Sequence, residues 1–200
     1  MRAAPLVGIL LAAGSSSRFG SAKLMATLPG GAPGEATGVM AEASLRHLFT
    51  GVDAVVAVVR PGDDALALLL SRNGARVTVC PDAAQGMGVS LAWAVRAAPV
   101  AMGWIVALAD MPWIAPSSIA RVAEALRAGV PLAAPRFRNS RGHPVGFGAA
   151  FYAGLAALQG DEGARRIVEA HAQSLREIDV DDRGVLQDID TAEDLRTSRG

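Results

Sequence analysis

The residues best equipped for chemistry gather in a few short stretches. In "LLAAGSSSRFGSAK", Leu10–Lys23, an apolar run gives way to a small-residue loop that holds two cations, Arg18 and Lys23. Backbone N–H groups in so small a loop can converge on one concavity, which suits phosphate oxygens. Arg18 adds a planar bidentate donor and Lys23 a point charge. The loop is not a Walker A motif, because five residues separate Gly14 from Gly20 and no Gly-Lys-Ser/Thr follows. It also lacks the G-x-G-x-x-G of a dinucleotide fold. A second stretch, "LADMP", puts Asp110 directly after another apolar run. A carboxylate there is a natural Mg2+ ligand, since this ion takes one or two carboxylates and completes its shell with phosphate oxygens. The plainer alternatives are a flexible connection with two solvated cations, and an aspartate that only caps a turn or helix.

These residues need a scaffold, and the pattern of the chain supplies one. Val7–Ala12, Asp53–Val59, Arg76–Cys80 and Trp104–Ala109 are nearly continuous apolar runs, as expected of strands buried on both faces. Val39–Phe49, Asp64–Ser71, Ser90–Ala98 and Pro116–Ala128 alternate with them and have helical composition, the last bracketed by Pro116 and Gly129. Strand–helix alternation predicts a doubly wound α/β sheet, mostly parallel, in which ligands bind beyond the carboxyl ends of the strands. Beyond Pro135 the pattern loosens. "HPVGF" and "SLREIDV" read as further strands, one of them an antiparallel edge, and Thr191 with Asp194 reads as a capping box. Pro29–Gly38 reads as a loop beside the first site or as a surface insertion.

A chain of 200 residues favours one domain, 1–200. With 19 basic and 19 acidic residues the net charge is zero, which argues against nucleic acid or an anionic membrane as partner, so an anionic ligand needs a local cluster. Cys80 is the only cysteine, which excludes an internal disulfide and a cysteine metal site. Arg2 and the apolar Leu6–Ala13 imitate a secretory signal, but Pro5 interrupts the stretch and it is too short to span a bilayer. A cytoplasmic protein is the working assumption.

Other residues qualify as site candidates, each with a plain alternative. Asp188 and Asp190 are two apart and on an extended segment share a face, so both could look toward a metal, or Asp190 could cap the last helix. "RFRNSRGH" puts Arg136, Arg138 and Arg141 beside His143, which suits a polyanion or a solvated loop. Arg165 in "GDEGAR" has the same ambiguity, and Trp113 could stack on a ring or simply pack.

Taken together, "LLAAGSSSRFGSAK", "GMGVSL", "LADMPWI", "RGHPVGF", "GDEGAR" and "DIDTAEDL" resemble the nucleotidyltransferases of molybdenum cofactor maturation. They resemble the cytidylyltransferases more than the guanylyltransferases. The match runs from about Val7 to Leu195. It implies a three-layer α/β/α fold of the nucleotide-diphospho-sugar transferase type, with a Rossmann-like sheet. It implies Mg2+ as cofactor and CTP with a molybdopterin-type cofactor as substrates. A molybdoenzyme or its chaperone would be a further partner. Leu11, Ala12, Ala13, Gly14, Ser15, Ser16, Arg18, Lys23, Gly86, Gly88 and Ser90 would bind the nucleotide. Arg18, Lys23 and Asp110 would be catalytic. Arg141, His143 and Arg165 would receive the acceptor, and Asp110, Asp188 and Asp190 would hold the metal. Three departures stand out. "LPGGAPGEATGVMAEASL" is longer than the usual compact loop, and in "DIDTAEDL" an aspartate replaces the asparagine, and Ala192 the proline, of the related guanylyltransferases. A GTP-dependent or other nucleotidyltransferase, and a non-catalytic cofactor chaperone, are the competing readings.

Overall fold

The computed structural model describes residues 3–14, 23–29, 38–191 and 193–197. The chain alternates β1 (Leu6–Leu11), α1 (Met40–Phe49), β2 (Ala54–Val59), α2 (Asp64–Arg72), β3 (Arg76–Val79), α3 (Met87–Ala97), β4 (Gly103–Leu108) and α4 (Pro116–Arg127). It continues through β5 (Leu132–Phe137), β6 (Ser140–Arg141), β7 (Val145–Gly148), α5 (Tyr152–Ala156), α6 (Arg165–Ala170), β8 (Leu175–Asp179) and α7 (Asp194–Thr197). The strands form an eight-stranded sheet in the order β3-β2-β1-β4-β7-β5-β6, with β8 pairing β5. β1, β2, β3 and β4 are mutually parallel, and Ile9 stands between Val56 of β2 and Val106 of β4.

Period-two alternation sends side chains to both faces of this sheet, and both faces are apolar because both are covered. Leu6 and Leu10 of β1 and Ile105 of β4 pack under α1, α2 and α4. Val7, Ile9, Trp104 and Val106 pack under α3, α5 and α6. This is the three-layer α/β/α arrangement that the alternation implied. A fully buried side chain such as Phe147 contributes about 1.5–3 kcal/mol by leaving water. Cys80 is a buried free thiol within the second of these layers.

Three details differ from the sequence reading. α3 begins at Met87 rather than Ser90. β5 contains Pro135, and a proline inside a run argues against a strand, so "LAAPRF" did not read as one. Pro135 accepts from the Gly142 N–H at 2.9 Å and has no N–H to return, yet β5 continues through it, pairing with β6 on one side and β8 on the other. Finally, β7 is antiparallel but interior, between β4 and β5, whereas β8 lies beside β5 in parallel.

Candidate active site

β1 and β4 are adjacent and parallel, so the segments leaving their carboxyl ends emerge side by side. After β1 comes the small-residue loop; Ser15, Ser16 and Arg18 lie outside the described residues. The chain returns as a single 3-10 turn, Lys23–Met25, whose first residue is the only lysine in the sequence. Lys23 is buried, and its Nζ lies 3.0 Å from Asp110 Oδ2 and 3.0 Å from Asp190 Oδ1. Asp110 comes from the end of β4. Asp190 is brought in because the neighbouring Ile189 donates its N–H to the Asp110 carbonyl at 3.0 Å and buries its side chain against Leu28, Met40 and Ala43. Thr191 and Asp194 then form the expected capping box. Thr191 Oγ1 accepts from the Asp194 N–H, and the Asp194 carboxylate accepts from Thr191 N–H at 2.7 Å and Asp190 N–H at 3.0 Å. Asp190 therefore does not cap the last helix and is free to face Lys23. Burial pushes the Lys23 ammonium toward neutrality, but the two carboxylates outweigh it, Asp110 first, and the net direction is upward. Lys23 is thus held as a cation.

Two cavities open on this sheet edge. The first, about 750 Å3, is lined by Ala13, Gly14, Lys23, Gly86, Ser90 and Asp110 among others. The second, about 640 Å3, has an apolar floor that includes Val106, Val145 and Phe147, and a charged rim. Leu11, Met87, Leu108 and Asp161 line both. Most of the expected nucleotide residues that are described therefore meet in one cavity. Ala12 is the first exception, buried with its N–H on the Val58 carbonyl at 2.9 Å. Gly88 is the second. A Cβ there would lie 2.7 Å from the Gln159 carbonyl, and its N–H bonds the Gly160 carbonyl at 2.8 Å. Gly86, at φ +125°, has the Gly160 backbone 2.5 Å from a notional Cβ. The glycines of "GMG" thus form a notch for the 159–161 segment, and that notch delivers Asp161 to the seam between the cavities. Sequence reasoning missed Asp161 as a site residue. The available signal was a second glycine-flanked segment, "QGDEG", that could nest against the first.

On the rim of the second cavity, Arg165 binds Glu169 at 2.7 Å and Arg166 pairs with Glu162. The Arg141 guanidinium makes no hydrogen bond or salt bridge with the described residues, although its charge favours the ionised form of Glu169, and it lines the same cavity. Arg136 and Arg138 go elsewhere, the first to Asp179 at 2.7 Å and Glu177 at 3.1 Å, the second over the Phe137 ring. His143 lines the cavity, and burial pushes its imidazole below the usual histidine range, with Arg141 adding to the effect and Asp110 and Asp188 opposing it. Asp188 is exposed, and only Asp190 of the pair reaches Lys23. Trp113 packs with Leu28, Met40 and Ile189 and lines neither cavity.

The donor set suits a hard divalent ion as a two-carboxylate site. Asp110 and Asp190 converge on one cation, Lys23, within a cavity large enough for phosphate oxygens. Among the described residues no group of three or more metal-ligating side chains is assembled. No helix among them is long and apolar enough to cross a membrane.

A doubly wound sheet with a lysine and carboxylates at the ends of β1 and β4 defines a nucleotidyltransferase fold. The chain belongs to the MobA-like NTP transferase family, whose domain model matches residues 8–175. It is 32% identical to the purine catabolism protein PucB of Bacillus subtilis strain 168, over 97% of this chain and 96% of PucB. It is 28% identical to nicotine blue oxidoreductase of Paenarthrobacter nicotinovorans, over 95% of this chain and 94% of that protein. Among solved structures, Rv0371c of Mycobacterium tuberculosis H37Rv superposes with a TM-score of 0.81 at 28% identity, covering 98% of this chain and 97% of that one. A manganese complex of Rv0371c superposes with a TM-score of 0.77 at 25% identity, covering 96% of each chain.

Proposed function

We propose that this protein, acting as one cytoplasmic nucleotidyltransferase domain over residues 1–200, transfers CMP from CTP to the phosphate of a molybdopterin-type molybdenum cofactor. An oxygen of the acceptor phosphate attacks the α-phosphorus in line. The new P–O bond forms as the bond to the bridging oxygen breaks, and pyrophosphate leaves with the electron pair. The nucleophile is already anionic near neutral pH, so the protein's work is positioning and charge neutralisation rather than proton removal.

The observation that carries this reading is the pair of adjoining cavities. One presents Lys23, Asp110 and the Gly14 backbone, and the other presents Arg141 and His143. Two substrates joined at their phosphates need two such rooms with a common wall. Asp110 and Asp190 would hold Mg2+, which supplies positive charge at the triphosphate. Asp188, exposed beside them, would contact it through water. Lys23 and Arg18 would hold phosphate oxygens, Arg141 would capture the acceptor phosphate, and Arg165 would give weaker support because Glu169 already engages it. The base preference for cytosine rests on the combined motifs.

Pyrophosphate release measured with CTP, GTP and ATP, with a molybdopterin-type acceptor present, tests the proposal. CTP is expected to be preferred. Equal or better turnover with GTP would reassign the base, and acceptor-independent binding without turnover would favour a carrier role.

A further inference from the structure

β6 and β7 lie along one side of β5 as two pieces of an interrupted strand. Arg136 faces Arg141 and Ala133 faces Gly146, so three steps along β5 are matched by five along its partner. The two extra residues fall between Gly142, still bonded to Pro135, and Gly146, in the stretch that holds His143 and Pro144. This segment is fixed to the turn at Arg183–Leu186: His143 donates its N–H to the Val185 carbonyl at 2.8 Å, and a Cβ on Gly142 would lie 2.3 Å from the same oxygen. The imidazole lines the second cavity, yet its Nδ1 is buried and has no hydrogen-bond partner among the described residues.

A neutral imidazole carries one N–H and one lone pair. A dry N–H with no acceptor is a rarer and costlier arrangement than an under-used lone pair. The dry side of the ring therefore takes the lone pair, and the proton resides on Nε2, at the edge that borders the cavity. The ring shares this cavity with Arg141, and Leu11, Met87, Leu108 and Asp161 line both this cavity and the one that holds Lys23 and Asp110.

We propose that His143 is fixed as the Nε2–H tautomer and that this N–H, together with Arg141, orients the acceptor phosphate for in-line attack through one of its non-attacking oxygens. The inference rests on the proposed function for the identity of the acceptor, but not for the tautomer. A phosphate monoester is the class of ligand that a neutral donor beside an unengaged guanidinium recognises.

Three measurements test it. Long-range proton–nitrogen correlation spectra, with His143→Leu used to assign the signal, should show a neutral ring protonated at Nε2; protonation at Nδ1 would overturn the inference whatever the substrate. Inorganic phosphate titrated without nucleotide should shift that Nε2 signal saturably, and an unmoved signal would also overturn it. In turnover assays, His143→Leu should lower kcat/KM for the acceptor about 10- to 100-fold with the CTP KM unchanged. His143→Gln, whose amide nitrogen approximates Nε2, should recover most of that loss, and His143→Asn, whose amide approximates Nδ1, should not. Rescue by Asn instead of Gln, or an unimpaired His143→Leu, would refute the assignment. Absence of any wild-type turnover with the molybdopterin-type acceptor would instead reject the proposed function, leaving the tautomer and phosphate measurements to decide this inference.

Discussion

The two cavities share a wall but are built by opposite means. The first is organised around a buried cation whose partners are distant in sequence, Lys23 with Asp110 and Asp190, all carried by segments that the parallel strands and the Ile189 anchor bring together. The second has an apolar floor and a rim of arginines mostly engaged by acids four residues away on one short helical stretch, Arg165 with Glu169 and Arg166 with Glu162. Exposed pairs of that kind contribute little, because water screens them and ordering two long side chains costs entropy. A cluster of distant segments meeting at a buried ammonium can hold one geometry against thermal motion, as phosphoryl transfer chemistry requires. A balanced, exposed rim screens charge and leaves recognition to the few groups not already engaged, Arg141 and His143. Arginines near a pocket are therefore not equivalent: Arg165 and Arg166 are held in salt bridges, and the Arg141 guanidinium is not.

Breaking the first cavity should have the largest effect. Lys23→Ala is expected to lower turnover by about 100-fold or more with the fold retained, measured as pyrophosphate release alongside circular dichroism. Near-normal turnover would remove Lys23 from the chemistry. The second cavity should respond more weakly and unequally. Arg141→Ala should lower kcat/KM for the acceptor about 10-fold and leave the CTP KM alone, whereas Arg165→Ala should change either by less than about 3-fold. Equal losses at the two positions would show that engagement by Glu169 does not matter. The smallest expected effect is on stability. Gly88→Ala forces a Cβ against the Gln159 carbonyl and should destabilise the protein by about 1–3 kcal/mol in urea titration. An unchanged midpoint would mean that the 159–161 segment yields easily and that Asp161 is not fixed at the seam.

Much of this arrangement was legible in the sequence, and the unread parts have physical causes. The four parallel strands and the first four helices announced themselves because strands buried on both faces must be apolar throughout. β5 escaped because Pro135 looks like a terminator, whereas the strand runs on through it and its carbonyl still accepts from the Gly142 N–H. The orientations of β7 and β8 depend on which neighbour each pairs with, a long-range choice that a local pattern does not encode. Within the site, Asp110 was marked by its position just beyond a buried run, and Lys23 by closing the small-residue loop that follows another. The relation of Asp188 to Asp190 was read only in part, since the shared face of residues two apart holds but the Ile189 anchor lets Asp190 alone reach Lys23. Gly88 was read as a ligand contact and lies instead in a packing notch, because a glycine that admits a ligand and one that admits another backbone look alike in sequence. Arg165 and Arg141 likewise could not be distinguished before Glu169 was seen to engage the first.

We propose that Asp110 and Asp190, which meet at Lys23, would hold a divalent metal that serves the nucleotide. The most direct test is calorimetric CTP binding with and without Mg2+ in the wild type and in Asp110→Asn, which keeps the side chain's shape and removes its charge. The wild type should gain affinity when Mg2+ is added. Asp110→Asn should lose that gain together with its activity, while its metal-free CTP affinity stays the same or rises as repulsion is relieved. A variant that keeps both the metal-dependent gain and full activity would contradict the account and place the metal elsewhere.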